Sequence, residues 1–144
     1  MMKKIKFRGK RLDNSEWCFG YYVYDEILDN HKIYVTEGGN TFGRKVDPET
    51  VGGYAGLKDS KDVEIYTDDI VRQTFNGEVT GYQIGKVVIL PSQGVCMSFP
   101  RTFVETEGND HEWHLDGYKN VRHYRSEVIG NTTDNPELLL VGKL

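Results

Sequence analysis

The densest run of side chains able to do chemistry is Asp110-His111-Glu112-Trp113-His114, with His123 further along. Imidazole and carboxylate together suit zinc or another first-row metal, and a site needs three or four such ligands converging on one point. His111 and His114 would share a face only on a helix, because residues three apart on a strand point to opposite sides. The flanking sequence has no helical period and no cysteine cluster supports a site, so the run reads as a polar loop anchored by Trp113. No metal site is expected.

Covalent chemistry is no better assembled. Cys96 lies between Val95 and Met97, and Cys18 between Trp17 and Phe19; in such company a thiol behaves as a small buried hydrophobe. The chain has no G-x-S-x-G elbow and no local Cys–His signature. Asp68 and Asp69 are adjacent, so on a strand they point apart and do not form an acid–base pair. Asp69 instead reads as a turn residue whose carboxylate bonds nearby backbone. Gly38-Gly39 and Gly52-Gly53 precede no long helix and read as turns rather than phosphate cradles. The expectation is a protein that is not an enzyme, with no catalytic residue and no cofactor.

Cations are grouped. Lys3, Lys4, Lys6, Arg8, Lys10 and Arg11 crowd one end of the chain, and Lys119, Arg122 and Arg125 form a second group. Joined beside exposed aromatics such as Tyr21, Tyr22 or Tyr124, they would make a basic stripe of the kind that holds single-stranded nucleic acid. Against this, 22 acidic residues outnumber 18 Lys and Arg, giving a formal net charge of −4. On that balance the lysines read first as a solvated sheet face that discourages edge-to-edge pairing.

The elements that must position these groups are strands. At 144 residues the chain fits one domain, with possible lobes at 1–60, a hairpin and loop region, and 61–144, a barrel region. Nine Tyr, six Phe and two Trp make 12% of it, and such side chains fit a pleated, half-buried sheet. Lys4 to Arg8 alternates with period two, which puts Ile5 and Phe7 inward and Lys4, Lys6 and Arg8 in water. Trp17–Tyr24 follows after a polar turn and completes a hairpin. His31–Thr36 is a strand broken by Gly38-Gly39-Asn40. Asp47-Pro48 opens one helical turn at most, with Asp as N-cap, and 54–60 reads as loop.

Val63–Tyr66, Ile70–Phe75 and Glu78–Leu90 are strands, the last two joined by the hairpin signal Asn76-Gly77. Gly81 and Gly85 mark a bulge, bend or split in the long one. Pro100 should interrupt the ladder between Val95–Phe99 and Arg101–Glu105, and 106–120 reads as irregular. Tyr124–Ile129 is a last strand, and Asn135-Pro136 starts a short helical turn. The fold class is mainly β: a small SH3-like barrel or paired small antiparallel sheets, with only short helical turns.

No window approaches the roughly 18 apolar residues that a membrane helix needs. The basic opening has no apolar run behind it, so it does not read as a signal peptide. The bacterial cytoplasm is the expected compartment, without a membrane partner.

Three blocks taken together resemble the YopX family of phage and prophage proteins. They are Ile5-Lys6-Phe7-Arg8; Asp47 to Gly52 continuing through Tyr54-Ala55-Gly56-Leu57-Lys58-Asp59 to Glu64–Val71; and Glu127–Asn131 with Asn135–Leu139. The family pattern usually has Gly where this chain has Asp68, so the turn before Ile70 must tolerate a side chain, and Asp accepts left-handed geometry. The Asn-Gly turn often seen near Lys61-Asp62 is also missing. The resemblance implies a phage or prophage origin, a β-rich fold, and no known catalytic residues to carry over.

The leading functional expectation is a non-catalytic interaction module that self-associates as a homo-oligomer and binds host or phage proteins. It rests on abundant aromatics, exposed strand edges and the absence of an assembled catalytic constellation. The alternative is an accessory nucleic-acid-binding protein in phage replication or gene control.

Overall fold

Period-two alternation is realised as antiparallel pairing along most of the chain. The computed structural model describes residues 5–76, 80–106, 109–114 and 117–140. They fall into two units, Met1–Gly56 and Leu57–Leu144. The fold is mainly β, with only short 3-10 turns at Pro48–Thr50, His123–Arg125 and Pro136–Leu139 among the described residues.

The N-terminal unit contains β1 (Phe7–Lys10), β2 (Trp17–Asp25), β3 (Asn30–Glu37), β4 (Asn40–Lys45) and the start of β5 (Gly52–Lys58). They pair in the order β4-β3-β2-β1-β5. Gly38 and Gly39 join β3 to β4 with φ of 55° and 83°. Both values are left-handed, which is the geometry a two-residue hairpin turn requires and which glycine adopts without strain.

At one end the sheet curls closed. Leu12 N–H donates to the Lys45 carbonyl (3.0 Å), Asp47 N–H donates to the Lys10 carbonyl (2.9 Å), and Arg11 bridges Val46. The inner face buries Cys18, Ile33, Val35 and Val46, with Phe7, Tyr22 and Val51 packed against them. Gly20 permits this closeness, because a Cβ there would sit 2.0 Å from the Tyr34 carbonyl oxygen. Asp47 caps the 3-10 turn by accepting from Glu49 N–H at 3.0 Å, as its sequence grammar predicts.

Three expectations for this unit fail. Ile5 lies outside β1 and is 68% exposed, whereas Arg8 is buried with its guanidinium 4.8 Å from the Trp17 ring centre. The neighbouring strand supplies that cover, which the local pattern of β1 cannot show. Residues 54–60 are largely strand rather than loop, and Gly52-Gly53 is no turn: Gly53 pairs with Phe7, whose ring stands 3.4 Å from where a Cβ would be. β4, rich in polar residues and glycine, has no strand signature and exists because β3 offers it a partner.

The C-terminal unit contains β6 (Glu64–Tyr66), β7 (Asp69–Thr74), β8 (Thr80–Leu90), β9 (Gly94–Thr106), β10 (Asn109–His114), β11 (Tyr118–Asn120) and β12 (Ser126–Asn131). Its sheet runs β10-β9-β8-β7-β12, with β11 also on β9. Ile70, Val71, Val87, Cys96 and Met97 are fully buried.

Pro100 does not break β9. The β8–β9 register shifts between Ile84 and Lys86, so Gly85 faces the Phe99–Pro100 step. The resulting bulge removes the need for the donor that proline lacks. A Cβ on Gly85 would meet Pro100 at 3.2 Å and Met97 at 2.9 Å, so the glycine is what lets the bulge pack. Much of 106–120 is strand, not irregular: β10 and β11 are polar and are held extended by pairing with β9. The Asn76-Gly77 turn falls partly outside the described residues, although the strands around it pair with Thr74 opposite Tyr82.

The central block behaves as its turn chemistry requires. Asp68 has a φ of 70° and Asp62 a φ of 66°, the left-handed geometry that Asp accepts more readily than most side chains. The Asp69 carboxylate accepts from Tyr66 N–H at 2.7 Å, tying the turn that introduces β7. Asp59 is also buried. Its Oδ1 accepts from Lys61 N–H (2.8 Å) and Val63 N–H (2.9 Å), and its Oδ2 from Val128 N–H (2.8 Å).

Candidate functional site

Cys18 points into the N-terminal core, so Trp17, Phe19, Tyr21 and Val23 line the opposite, outer face of β2. Phe19, Tyr21 and Val23 remain 44%, 67% and 45% exposed. Register then decides who stands beside them. On β1, Lys10 and Arg8 lie opposite Trp17 and Phe19. Lys6 Nζ stands 5.6 Å from the Phe19 ring centre and Lys10 Nζ 5.8 Å from that of Trp17, distances at which a cation is attracted to the ring face.

On the other flank, Tyr34 lies opposite Tyr21 and Lys32 opposite Val23. Lys45 lies opposite Lys32 and Gly43 opposite Tyr34. A Cβ on Gly43 would come within 3.0 Å of the Tyr34 ring and 3.3 Å of the Lys32 chain, so the glycine lets both side chains lie across β4. The result is an aromatic centre between two cationic margins. On the described strands of this face, register places a single carboxylate, Asp25, at the far end.

The tip of the β2–β3 hairpin is a second feature. Ile27 is 93% exposed and Leu28 64%. The tip is nonetheless held firmly: Asp25 Oδ1 accepts from Ile27 N–H (2.9 Å) and Leu28 N–H (3.2 Å). Asp29 takes the left-handed conformation at φ 51°, and its Oδ1 accepts from the Tyr24 hydroxyl at 2.8 Å. That bond to a carboxylate raises the Tyr24 phenol above its ordinary pKa.

The residues proposed from sequence for a basic patch have mixed fates. Lys3 and Lys4 lie outside the described residues. Lys6, Arg8 and Lys10 are brought to the outer face, although Arg8 is buried there. Arg11 turns away onto Asp13 at 2.6 Å, a hydrogen-bonded pairing that lowers the Asp13 pKa and raises that of Arg11. In the C-terminal unit, Lys119 sits 5.6 Å from the Phe75 ring centre. Arg122 N–H donates to Gln73 Oε1 (2.6 Å), and Arg125 Nη1 donates to the Thr74 carbonyl (3.1 Å).

Of the aromatics named with them, Tyr21 and Tyr124 are exposed. Tyr22 instead packs on the core and bonds His31 Nδ1 at 2.5 Å. Sequence reasoning missed Lys32 and Lys45, whose place on this face depends on pairing across two hairpins.

The C-terminal unit carries a groove of about 360 Å³ lined by Arg72, Thr74, Thr80, Tyr82, Phe103 and Glu105 among others. Tyr82 and Phe103 stack at 4.8 Å, and the Arg72 guanidinium lies 4.6 Å from the Tyr82 ring centre. This arrangement offers a planar stacking surface rather than a nucleophile beside its base. Glu112, one of the five candidate ligands in the sequence's best metal motif, is committed to Arg101 at 2.6 Å. Among the described residues, no group of three or more His, Cys, Asp or Glu could hold a metal. No helix among them is long and apolar enough to cross a membrane.

Both cysteines are buried free thiols, and burial raises the pKa of each. Less thiolate and less access both slow attack on a disulfide reagent. A native-state thiol titration near neutral pH should therefore show no rapidly reacting cysteine, and unfolding should release two. Rapid native reaction of either would contradict this burial.

Comparison with known proteins places the chain in a family. No curated protein matches its sequence. Among solved structures, the crystal structure of protein EF1440 from Enterococcus faecalis is similar, with 18% identity and a TM-score of 0.43, covering 96% of this chain and 100% of that one. The family model described as YopX protein matches residues 6–140, nearly the whole length, and on that match this chain belongs to the YopX family.

Proposed function

We propose that the protein is a non-catalytic interaction module of phage or prophage origin that self-associates in the bacterial cytoplasm through the β2–β3 hairpin. The observation that carries this reading is the tip, where two large apolar side chains stand in solvent on a turn already fixed by Asp25 and Asp29. Exposing Ile27 and Leu28 wastes apolar burial unless something covers them. A turn ordered in advance also reduces the conformational entropy lost on binding.

Light scattering tests it. The unaltered protein should give a defined oligomer at micromolar concentration, and the double substitution Ile27→Asp, Leu28→Ser should give a monomer with an unchanged circular dichroism spectrum. A monomer in both cases removes the self-association claim. An oligomer in both moves the contact elsewhere on the chain.

A further inference from the structure

We propose that the outer face of the N-terminal sheet binds single-stranded nucleic acid, stacking bases on Tyr21 and its aromatic neighbours and seating phosphates on Lys32, Lys45 and Lys10. This goes beyond the self-association reading and uses different residues. The first support is charge segregation. A chain of net charge −4 gathers Lys6, Arg8, Lys10, Lys32 and Lys45 on one sheet face, against Asp25 alone on the same described strands.

The second support is the arrangement of that charge. Exposed rings run along β2, cations from β1 stand on one side of them and cations from β3 and β4 on the other. Every base has a π-face that can stack on an aromatic ring, and a cationic groove tracks the backbone, so this combination suits single strands without regard to sequence. A duplex hides its base faces, and an acidic polypeptide has none to stack. The rings therefore favour the single strand over either.

The test is fluorescence anisotropy with a short labelled DNA oligonucleotide of mixed sequence. If three phosphates are neutralised, affinity should fall about twentyfold between about 50 and 200 mM salt, since log K falls by about 0.7 per contact for each tenfold rise in salt. Tyr21→Ala should weaken binding about tenfold, as loss of one stacked base predicts, and Tyr21→Phe should restore it. The pair Lys32→Gln, Lys45→Gln should reduce the salt slope by about 1.4.

Lys119→Gln, in the other unit, should change nothing. These are exposed or half-exposed positions, and an unchanged thermal transition confirms each variant's fold. Tyr21→Ala should also leave the light-scattering mass unaltered, which separates this proposal from self-association. The proposal is overturned by any of three results: no binding at low salt, tighter binding of a duplex of the same sequence, or binding that poly-glutamate displaces as well as unlabelled oligonucleotide does.

Discussion

Glu112→Ala should destabilise the protein by about 3–5 kcal/mol, the range for removing one partner of a buried ion pair, and lower its melting temperature by roughly 10–20 °C. The Arg101 and Glu112 side chains are only 4% and 15% exposed, with Nη2–Oε1 at 2.6 Å. Arg101 Nε also donates to Glu112 Oε1 at 2.7 Å, and Nη1 donates to the Leu138 carbonyl at 2.9 Å. Its guanidinium lies 5.0 Å from the Phe103 ring centre.

The alanine variant leaves that guanidinium in place without its counter-charge, and the desolvation cost is then uncompensated. The double substitution Arg101→Met, Glu112→Leu removes both charges while keeping apolar volume, so it should recover most of the loss. Urea denaturation of the two variants measures the difference. A cost below about 1 kcal/mol for Glu112→Ala would put the pair with exposed salt bridges and contradict the burial seen here.

Asp59→Ala should cost about 3 kcal/mol or more, because orphaned buried donors cost about 1–3 kcal/mol each. One carboxylate receives three backbone N–H groups, from Lys61, Val63 and Val128, and so joins the 59–63 turn to β12. Asp59→Asn is the more discriminating variant. Its amide oxygen can keep the Lys61 and Val63 bonds, but its NH₂ would then face Val128 N–H, donor against donor. The Asn variant should therefore lose much of the same stability despite matching the shape. Native-state hydrogen exchange at Val128 should rise in both. An Asn variant as stable as the parent would mean the Val128 bond contributes nothing.

Much of the architecture was legible in advance wherever its cause is local. The Gly38-Gly39 turn, the Asp47-Pro48 cap, the left-handed Asp68 and the Asp69 bond back to Tyr66 each depend on a few consecutive residues. Their chemistry is written in residue type. The burial of Cys18 and Cys96 followed in the same way from apolar neighbours. So did the mainly β class, from aromatic content and period-two alternation.

The candidate surface was only half legible for the opposite reason. Lys6, Arg8 and Lys10 alternate along β1 and the residue before it and declare a shared side. Lys32 and Lys45 reach that side only through register across β2, β3 and β4, and β4 carries no strand signature of its own. β5, β10 and β11 escaped notice likewise, because a partner strand's hydrogen bonds hold glycine-rich and polar segments extended against their intrinsic preference. The Gly38-Gly39 and Asp68 turns and the Asp47 cap were thus determined by the sequence alone, since each closes on its own neighbours, whereas Gly52-Gly53 was drawn into a strand by pairing with β1. Which polar segments became strands, how deeply Arg8 was covered and which lysines met which rings were decided by tertiary pairing, since a strand's register and burial are set by a partner elsewhere in the chain.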